Sequence, residues 1–282
     1  MSDTKQFPNT YWALILGSSS GFGGATALEL ARRGMNILGI HFDRSATMPA
    51  VEKLLTEIRQ TGSKVTFYNI NASDERKRNE ILESIQQDFA GTENTIRVIL
   101  HSLAFGTLKP YIAANASGML TQANMEMTLD VMAHSLVYWT QGVVVRGLMK
   151  RGGRIFTMTS SGGHVALPNY GAVSAAKAAE ECHIRQLAME LGPFGITANS
   201  ILAGVTDTPA LKKIPGAMRM LEIARLKNPA MRTTTPEDIA KAISMLASDD
   251  AGFISGNVIG VDGGEDVVNY MGQKSPTELE NP

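Results

Sequence analysis

Tyr170 and Lys177 stand seven residues apart in the run Tyr170-Gly171-Ala172-Val173-Ser174-Ala175-Ala176-Lys177. Seven residues is close to two helical turns, so a helix here sets both side chains on one face. A phenol held beside an ammonium has its charged form favoured, which makes it a usable proton donor near neutral pH. The same spacing also arises from one buried and one solvated side chain. Its weight therefore depends on what else the chain carries.

A second group is Gly17-Ser18-Ser19-Ser20-Gly21-Phe22-Gly23-Gly24, which follows a short apolar run and precedes a helical pattern. Closely spaced glycines at a strand-to-helix turn let backbone amides approach and neutralise a pyrophosphate. The spacing is GxxxGxG, and the residues placed to meet a dinucleotide are Gly17, Ser19, Ser20, Gly21, Phe22 and Gly23.

The elements that must hold these groups alternate along the chain. Apolar strand candidates are Tyr11 to Leu16, Met35 to Ile40, Lys64 to Asn69, Arg97 to His101, Arg154 to Met158, Ile196 to Ile201 and Asn257 to Val261. Helical stretches between them include Phe22 to Arg33, Asp74 to Phe89, Thr121 to Lys150, Tyr170 to Leu191 and Pro236 to Ala247. Sustained strand-helix alternation predicts a mostly parallel α/β sheet covered by helices on both faces. The first dozen residues and Gly272 to Pro282 read as tails that become ordered only by docking elsewhere.

At 282 residues and 44% hydrophobic content the chain can bury the core of one large domain. A net charge of -1 gives no signature of nucleic-acid or anionic-membrane binding. The single cysteine, Cys182, excludes an intrachain disulfide and reads as a buried thiol. No basic-then-apolar leader opens the sequence and no uncharged apolar run approaches the ~18 residues of a membrane span, so a cytoplasmic protein is expected. The five histidines lack metal-ligand spacing, and no metal is expected. His164 and His134 read either as substrate-site residues or as structural ones.

The glycine turn, the Tyr-Lys helix, Ile201-Leu202-Ala203-Gly204 and Val261-Asp262-Gly263-Gly264 resemble the short-chain dehydrogenase/reductase superfamily over nearly the whole chain. That resemblance implies a doubly wound, seven-stranded Rossmann sheet, a nicotinamide cofactor along the strands' C-terminal edge, and a homotetramer. Most members carry Asn-Asn-Ala-Gly after the fourth strand, a Tyr four residues before the Lys, and a Ser thirteen before that Tyr. Here those places hold His101-Ser102-Leu103-Ala104-Phe105-Gly106, Val173 and Ser160, and Met132 stands where a helical Asn is usual. These departures, with Leu167-Pro168-Asn169-Tyr170, resemble the enoyl-acyl carrier protein reductases, and Ser160 resembles their divergent, Ser-bearing members.

The displaced Tyr also has a chemical reading. Ketone reduction puts hydride and proton on adjacent atoms. Reduction of a 2-enoyl thioester sends hydride to C3 while charge develops on the thioester oxygen, so the donor must lie farther from the nicotinamide. A shift of one turn, roughly 5 Å along the axis, suits the second reaction. In this reading Tyr170 stabilises the enolate, Lys177 binds the nicotinamide ribose and tunes Tyr170, and Ser160 orients the substrate. A nucleophilic Ser160-Ser161 pair lacks the Gly-x-Ser-x-Gly elbow. The resemblance further implies cofactor contacts at Ser102, Leu103, Ala104, Gly204, Thr206 and Thr208. It implies an acyl thioester on acyl carrier protein or CoA as substrate.

His41 replaces the acidic residue usual at the end of the second strand in NAD enzymes, and Arg44 follows. Together they favour NADPH, with NADH possible because Asp43 lies between them. Arg44 reads equally as a solvated loop charge, and Asn69 as an adenine contact. Residues 205 to 230 carry Leu211, Ile214, Met218, Met220 and Leu221, which form either a mobile acyl lid or a packed surface helix. Lys212, Lys213, Arg219, Arg225, Lys227 and Arg232 make the same region basic, suited to an acidic carrier protein or to plain solvation. The competing functions are a carbonyl reductase acting on a 3-ketoacyl thioester, sterol or other ketone, and a non-catalytic NAD(P)-sensing protein.

Overall fold

The computed structural model describes residues 5–269. Seven strands form one parallel sheet: β1 (Tyr11–Leu16), β2 (Asn36–His41), β3 (Val65–Asn69), β4 (Thr95–His101), β5 (Arg154–Thr159), β6 (Thr197–Ala203) and β7 (Val258–Val261). Their order is β3-β2-β1-β4-β5-β6-β7. Leu14 of β1 aligns with Leu38 of β2 on one side and Ile99 of β4 on the other. The chain reverses direction across the sheet between β1 and β4, and the crevice at that switch point opens beyond the strand C-termini.

The central strands β4, β5 and β6 are buried along their whole length, as sheet strands covered on both faces must be. One cover consists of α1 (Gly21–Arg32), α2 (Met48–Gln60) and α8 (Pro236–Leu246), which bring Leu30, Ile58 and Ile243 to the sheet. The other consists of α3 (Glu75–Phe89), α5 (Ser135–Val145) and α6 (Gly171–Leu191), which bring Leu82, Trp139 and Ile184. Trp139 is fully buried, and its indole N–H donates to the Ala72 carbonyl at 2.8 Å, so the large apolar ring leaves no donor unpaired. The remaining α-helices are α4 (Gln122–Leu129), which packs against α6, and α7 (Ala217–Lys227).

The sheet, its parallel sense and the positions of all seven strands follow the sequence reading. The expected helix from Thr121 to Lys150 runs from Gln122 to Val145, with a π turn at Asp130–His134 between α4 and α5. Ser135 Oγ donates to the Val131 carbonyl at 2.8 Å across that turn, a side-chain bond that competes with regular helix pairing. The sequence reading does not pick out α2, although Val51, Leu55 and Ile58 sit at helical spacing and are buried. Of the opening tail, the described part is ordered by docking: Phe7 is buried and its N–H donates to the Arg33 carbonyl at 2.9 Å. Gly272 to Pro282 lie outside the described residues. Cys182 is exposed rather than buried, since it falls on the outer face of α6.

Candidate active site

The glycine turn is built for close approach. Gly17 has φ +86°, and a Cβ there would lie 2.3 Å from the Ser102 carbonyl oxygen, so only glycine lets the β1–α1 turn meet the loop after β4. A Cβ at Gly23 would lie 2.1 Å from the Gly17 oxygen. Ser20 precedes the first turn of α1 with no side-chain cap and no acidic residue follows in that turn, so the helix N-terminus suits an anion. Thr208 packs against Gly21, 3.7 Å from where a Cβ would stand. This cradle, made of backbone amides around side-chain-free positions, fits a dinucleotide pyrophosphate.

From the same turn a cavity of about 220 Å³ extends toward α6 and α7. Phe22, Ser102, Leu103, Ala104, Ser160, Tyr170, Lys177, Gly204, Thr206 and Thr208 line it, whereas Gly17, Ser19, Ser20, Gly21, Gly23, His41, Arg44 and Asn69 are not among its lining residues. Tyr170 immediately precedes the first turn of α6, after Asn169, whose φ of +62° Asn tolerates better than other non-glycine residues. Tyr170 is the one phenol among the lining residues. A Cβ at Gly162 would lie 2.6 Å from the Tyr170 ring and 3.2 Å from Ser160 Oγ, so Gly162 brings these two groups beside each other. Ser160 Oγ is buried with no hydrogen-bond partner in the protein, a polar atom of the kind a bound ligand satisfies.

Lys177 is 7% exposed and Val173 5%. Val173 packs with Met132 and Ala176 in an apolar cluster that Tyr170 and Leu103 border. Lys177 Nζ donates to the Met158 carbonyl at 2.7 Å and to Glu180 Oε2 at 2.8 Å. Burial pushes the Glu180 carboxyl up, but the adjacent Lys177 ammonium and His101 outweigh it and hold the group below the usual carboxylate range. Glu180 was missed in the sequence. The signal was its position three residues after Lys177 on a helix.

At the other end of the cleft, His41 is buried and its Nδ1 lies 2.9 Å from Asp43 Oδ2. Thr47 Oγ1 donates to Asp43 Oδ1 at 2.7 Å. Burial pushes the Asp43 carboxyl up, while bonds from Ser19, Thr47 and His41 pull it further down, below its ordinary value. The group held against the glycine turn is therefore a carboxylate, and His41 supports it. Arg44 is exposed on the following loop. Asn69 is spent on that loop too: its Oδ1 accepts the Asp43 N–H and its Nδ2 donates to the Asp43 carbonyl, both at 3.0 Å.

In the expected lid, Leu211, Lys213, Ile214 and Met220 line the cavity, whereas Met218 is 76% exposed and Leu221 is not among the lining residues. His164 and His134 do not line the cavity. His164 Nε2 pairs with Asp266 at 3.0 Å, and His134 Nδ1 lies 3.1 Å from His183 Nε2. Among the described residues no helix is long and apolar enough to cross a membrane.

The fold superposes on a crystal structure of an enoyl-acyl-carrier-protein reductase from Anaplasma phagocytophilum in complex with NAD, with TM-score 0.79 and 20% identity over 96% of this chain and 98% of that one. Cyclohexanol dehydrogenase of a Rhodococcus species is 29% identical over 89% of this chain and 94% of its own length. The 3-oxoacyl-acyl-carrier-protein reductase FabG of Pseudomonas aeruginosa is 29% identical over 89% and 96%. The NADH-dependent enoyl-acyl-carrier-protein reductase FabI of a Nostoc species is 29% identical over 77% and 81%. A family model described as enoyl-(acyl carrier protein) reductase matches residues 17–265. The chain belongs to that family, within the short-chain dehydrogenase/reductase superfamily of NAD(P)H-dependent oxidoreductases.

Proposed function

We propose that the protein reduces the C2–C3 double bond of a 2-enoyl thioester carried on acyl carrier protein or CoA. The observation that carries this reading is the placement of Tyr170, the one phenol lining the cavity, one turn before the position that Val173 fills with an apolar side chain. A reduced nicotinamide dinucleotide, its pyrophosphate held by the glycine cradle, would supply the hydride for C3. Tyr170 donates a hydrogen bond to the thioester oxygen and stabilises the enolate as negative charge develops there, and protonation of the enolate at C2 from water completes the saturated thioester. Lys177, with two N–H groups engaged by Met158 and Glu180, keeps the third for the nicotinamide ribose. Ser160 Oγ orients the substrate oxygen, and Leu103, Met132, Val173, Leu211 and Ile214 supply the apolar wall for the acyl group.

The residues at the pyrophosphate are Gly17, Ser19, Ser20, Gly21, Phe22, Gly23 and Thr208, with Ser102, Leu103, Ala104, Gly204 and Thr206 flanking the nicotinamide end. NADH is the preferred donor in this proposal, the reverse of what His41 and Arg44 suggest as a sequence. A carboxylate at the end of β2, bonded from three sides, accepts from a ribose hydroxyl and repels a 2′-phosphate. The named NADH-dependent relative supports the same choice. Residues 205 to 230 act as a lid of a single domain, and the enzyme works as a cytoplasmic homotetramer.

The second reading is reduction of a 3-ketoacyl thioester or another ketone, favoured by the FabG and cyclohexanol dehydrogenase relatives. Steady-state oxidation of NADH and NADPH with crotonyl and acetoacetyl thioesters separates the two. The proposal expects turnover with the crotonyl thioester at least about 100-fold faster, the scale of one well-placed oxyanion donor. Faster turnover of the acetoacetyl thioester overturns it.

A further inference from the structure

A buried chain of polar groups runs from the cavity wall into the core, and the reaction described above uses only its first member. Glu180 is fully buried, as is His101 at the end of β4. Glu180 Oε2 accepts from Lys177, and Oε1 accepts from Thr157 Oγ1 of β5 at 2.5 Å. His101 Nδ1 lies 2.8 Å from the same Oε1, off the line of a hydrogen bond but at ion-pair distance. The other ring nitrogen, Nε2, is 2.8 Å from Ser135 Oγ, anchored to the π turn by its bond to Val131. Two strands, β4 and β5, and helix α6 thus converge on one carboxylate.

Such convergence is costly unless it serves the ammonium. A lone buried carboxylate or ammonium loses several kcal/mol of hydration, which only pairing and hydrogen bonds offset. The groups facing Glu180 are Lys177 and, farther along α6, His183; His101 from β4; Thr157 from β5; and, behind His101, Ser135 with His134 beside it. Glu181, the neighbouring acid, turns away to accept from Thr159 Oγ1. Glu180 is the carboxylate bonded to Lys177 among the described residues.

We propose that Glu180 is the positioning residue of the site: held by Thr157 and His101, it is the counter-ion that keeps the Lys177 ammonium charged and aimed at the cavity. This rests on the role given to Lys177 above. With the carboxylate removed, a nearly buried ammonium sheds its proton at lower pH, because burial disfavours its charged form. Turnover that requires charged Lys177 then fails on the alkaline side earlier.

The test uses Glu180→Gln, Lys177→Met and the double variant, each checked for cooperative unfolding and for NADH binding by fluorescence. For folded Glu180→Gln, the alkaline limb of kcat with a crotonyl thioester is expected to move down by about one pH unit or more, while KM changes less than about twofold. A loss from general loosening lowers kcat at every pH without moving the limb, and an unmoved limb overturns the proposal. If Glu180→Gln alone does not fold, the charge-neutral Lys177→Met/Glu180→Gln protein is expected to fold and to melt higher than it. A double variant as unstable as the single one overturns the counter-ion role. Lys177→Met with near wild-type turnover defeats the reading of Lys177 itself, an outcome distinct from an inactive Lys177→Met beside an unmoved Glu180→Gln limb.

Discussion

The two ends of the cleft are built on different principles. The β1–α1 turn works through backbone: three glycines, two with positive φ, let amides and a carbonyl crowd together where any Cβ would clash or strain. The α6 end works through side chains, Tyr170, Lys177, Ser160 and Glu180, drawn from the segment after β5 and from α6, with Met132 and Val173 beside them. A backbone site is rigid and intolerant of added atoms. A side-chain site tolerates shape changes but depends on each charge having its partner.

That difference orders what substitutions do. The largest effect is expected at Gly17→Val, which needs φ +86° and a Cβ 2.3 Å from the Ser102 oxygen. Fluorescence titration should show loss of nicotinamide-cofactor binding and, with it, all turnover; retained micromolar binding would show that the turn is not the cradle. Next is Tyr170→Phe combined with Val173→Tyr, which moves the phenol one turn. Enoyl reduction should fall at least about 100-fold. Little ketone reduction is expected in return, because Val173 is 5% exposed and a larger side chain must displace Met132 and the loop at Gly106. Undiminished enoyl reduction in the folded protein would show that donor placement on α6 does not set the chemistry.

A smaller effect is expected at Asp43→Ser, which removes the carboxylate from the ribose end. The ratio of kcat/KM for NADH over NADPH should drop about tenfold, roughly one charged hydrogen bond; a wild-type preference for NADPH would reverse the assignment. The smallest lies outside both ends. Asp238 closes the capping box of α8 with Thr235, and the Arg232 side chain bonded to it holds its carboxyl down at about 2. A depressed folded-state pKa means stability that is present above the unfolded value near 3.8 and is lost as pH falls toward 2. Asp238→Asn should therefore lower Tm by a few degrees at neutral pH, about 1 kcal/mol or less, with the difference closing near pH 2. A gap that persists there would assign the effect to the helix cap alone.

The same contrast explains what the sequence disclosed. Glycine spacing is a local demand, so Gly17, Gly21 and Gly23 were legible without knowing the fold, and the apolar strand runs gave the sheet. Tyr170 and Lys177 were legible because one helix carries both. Glu180, His101 and Thr157 were not, since their meeting depends on how β4 and β5 sit under α6. The surroundings of His41 were not legible for a related reason: it occupies the expected position in the strand, and its buried ring lies beside Asp43 two residues on. The π turn within the helix at Asp130–His134 has no composition signal; Ser135 bonds back to Val131 across it.

The most direct test of the central claim is to follow deuterium from reduced, deuterated NADH into product with the wild-type protein and Tyr170→Phe. The account predicts deuterium at C3 of a saturated acyl thioester, with single-turnover rate reduced about 10² to 10³-fold in Tyr170→Phe at unchanged cofactor affinity. Deuterium on a hydroxyl-bearing carbon of a ketone substrate in preference to C3, or a Tyr170→Phe protein that reduces the enoyl thioester at the wild-type rate, would contradict it.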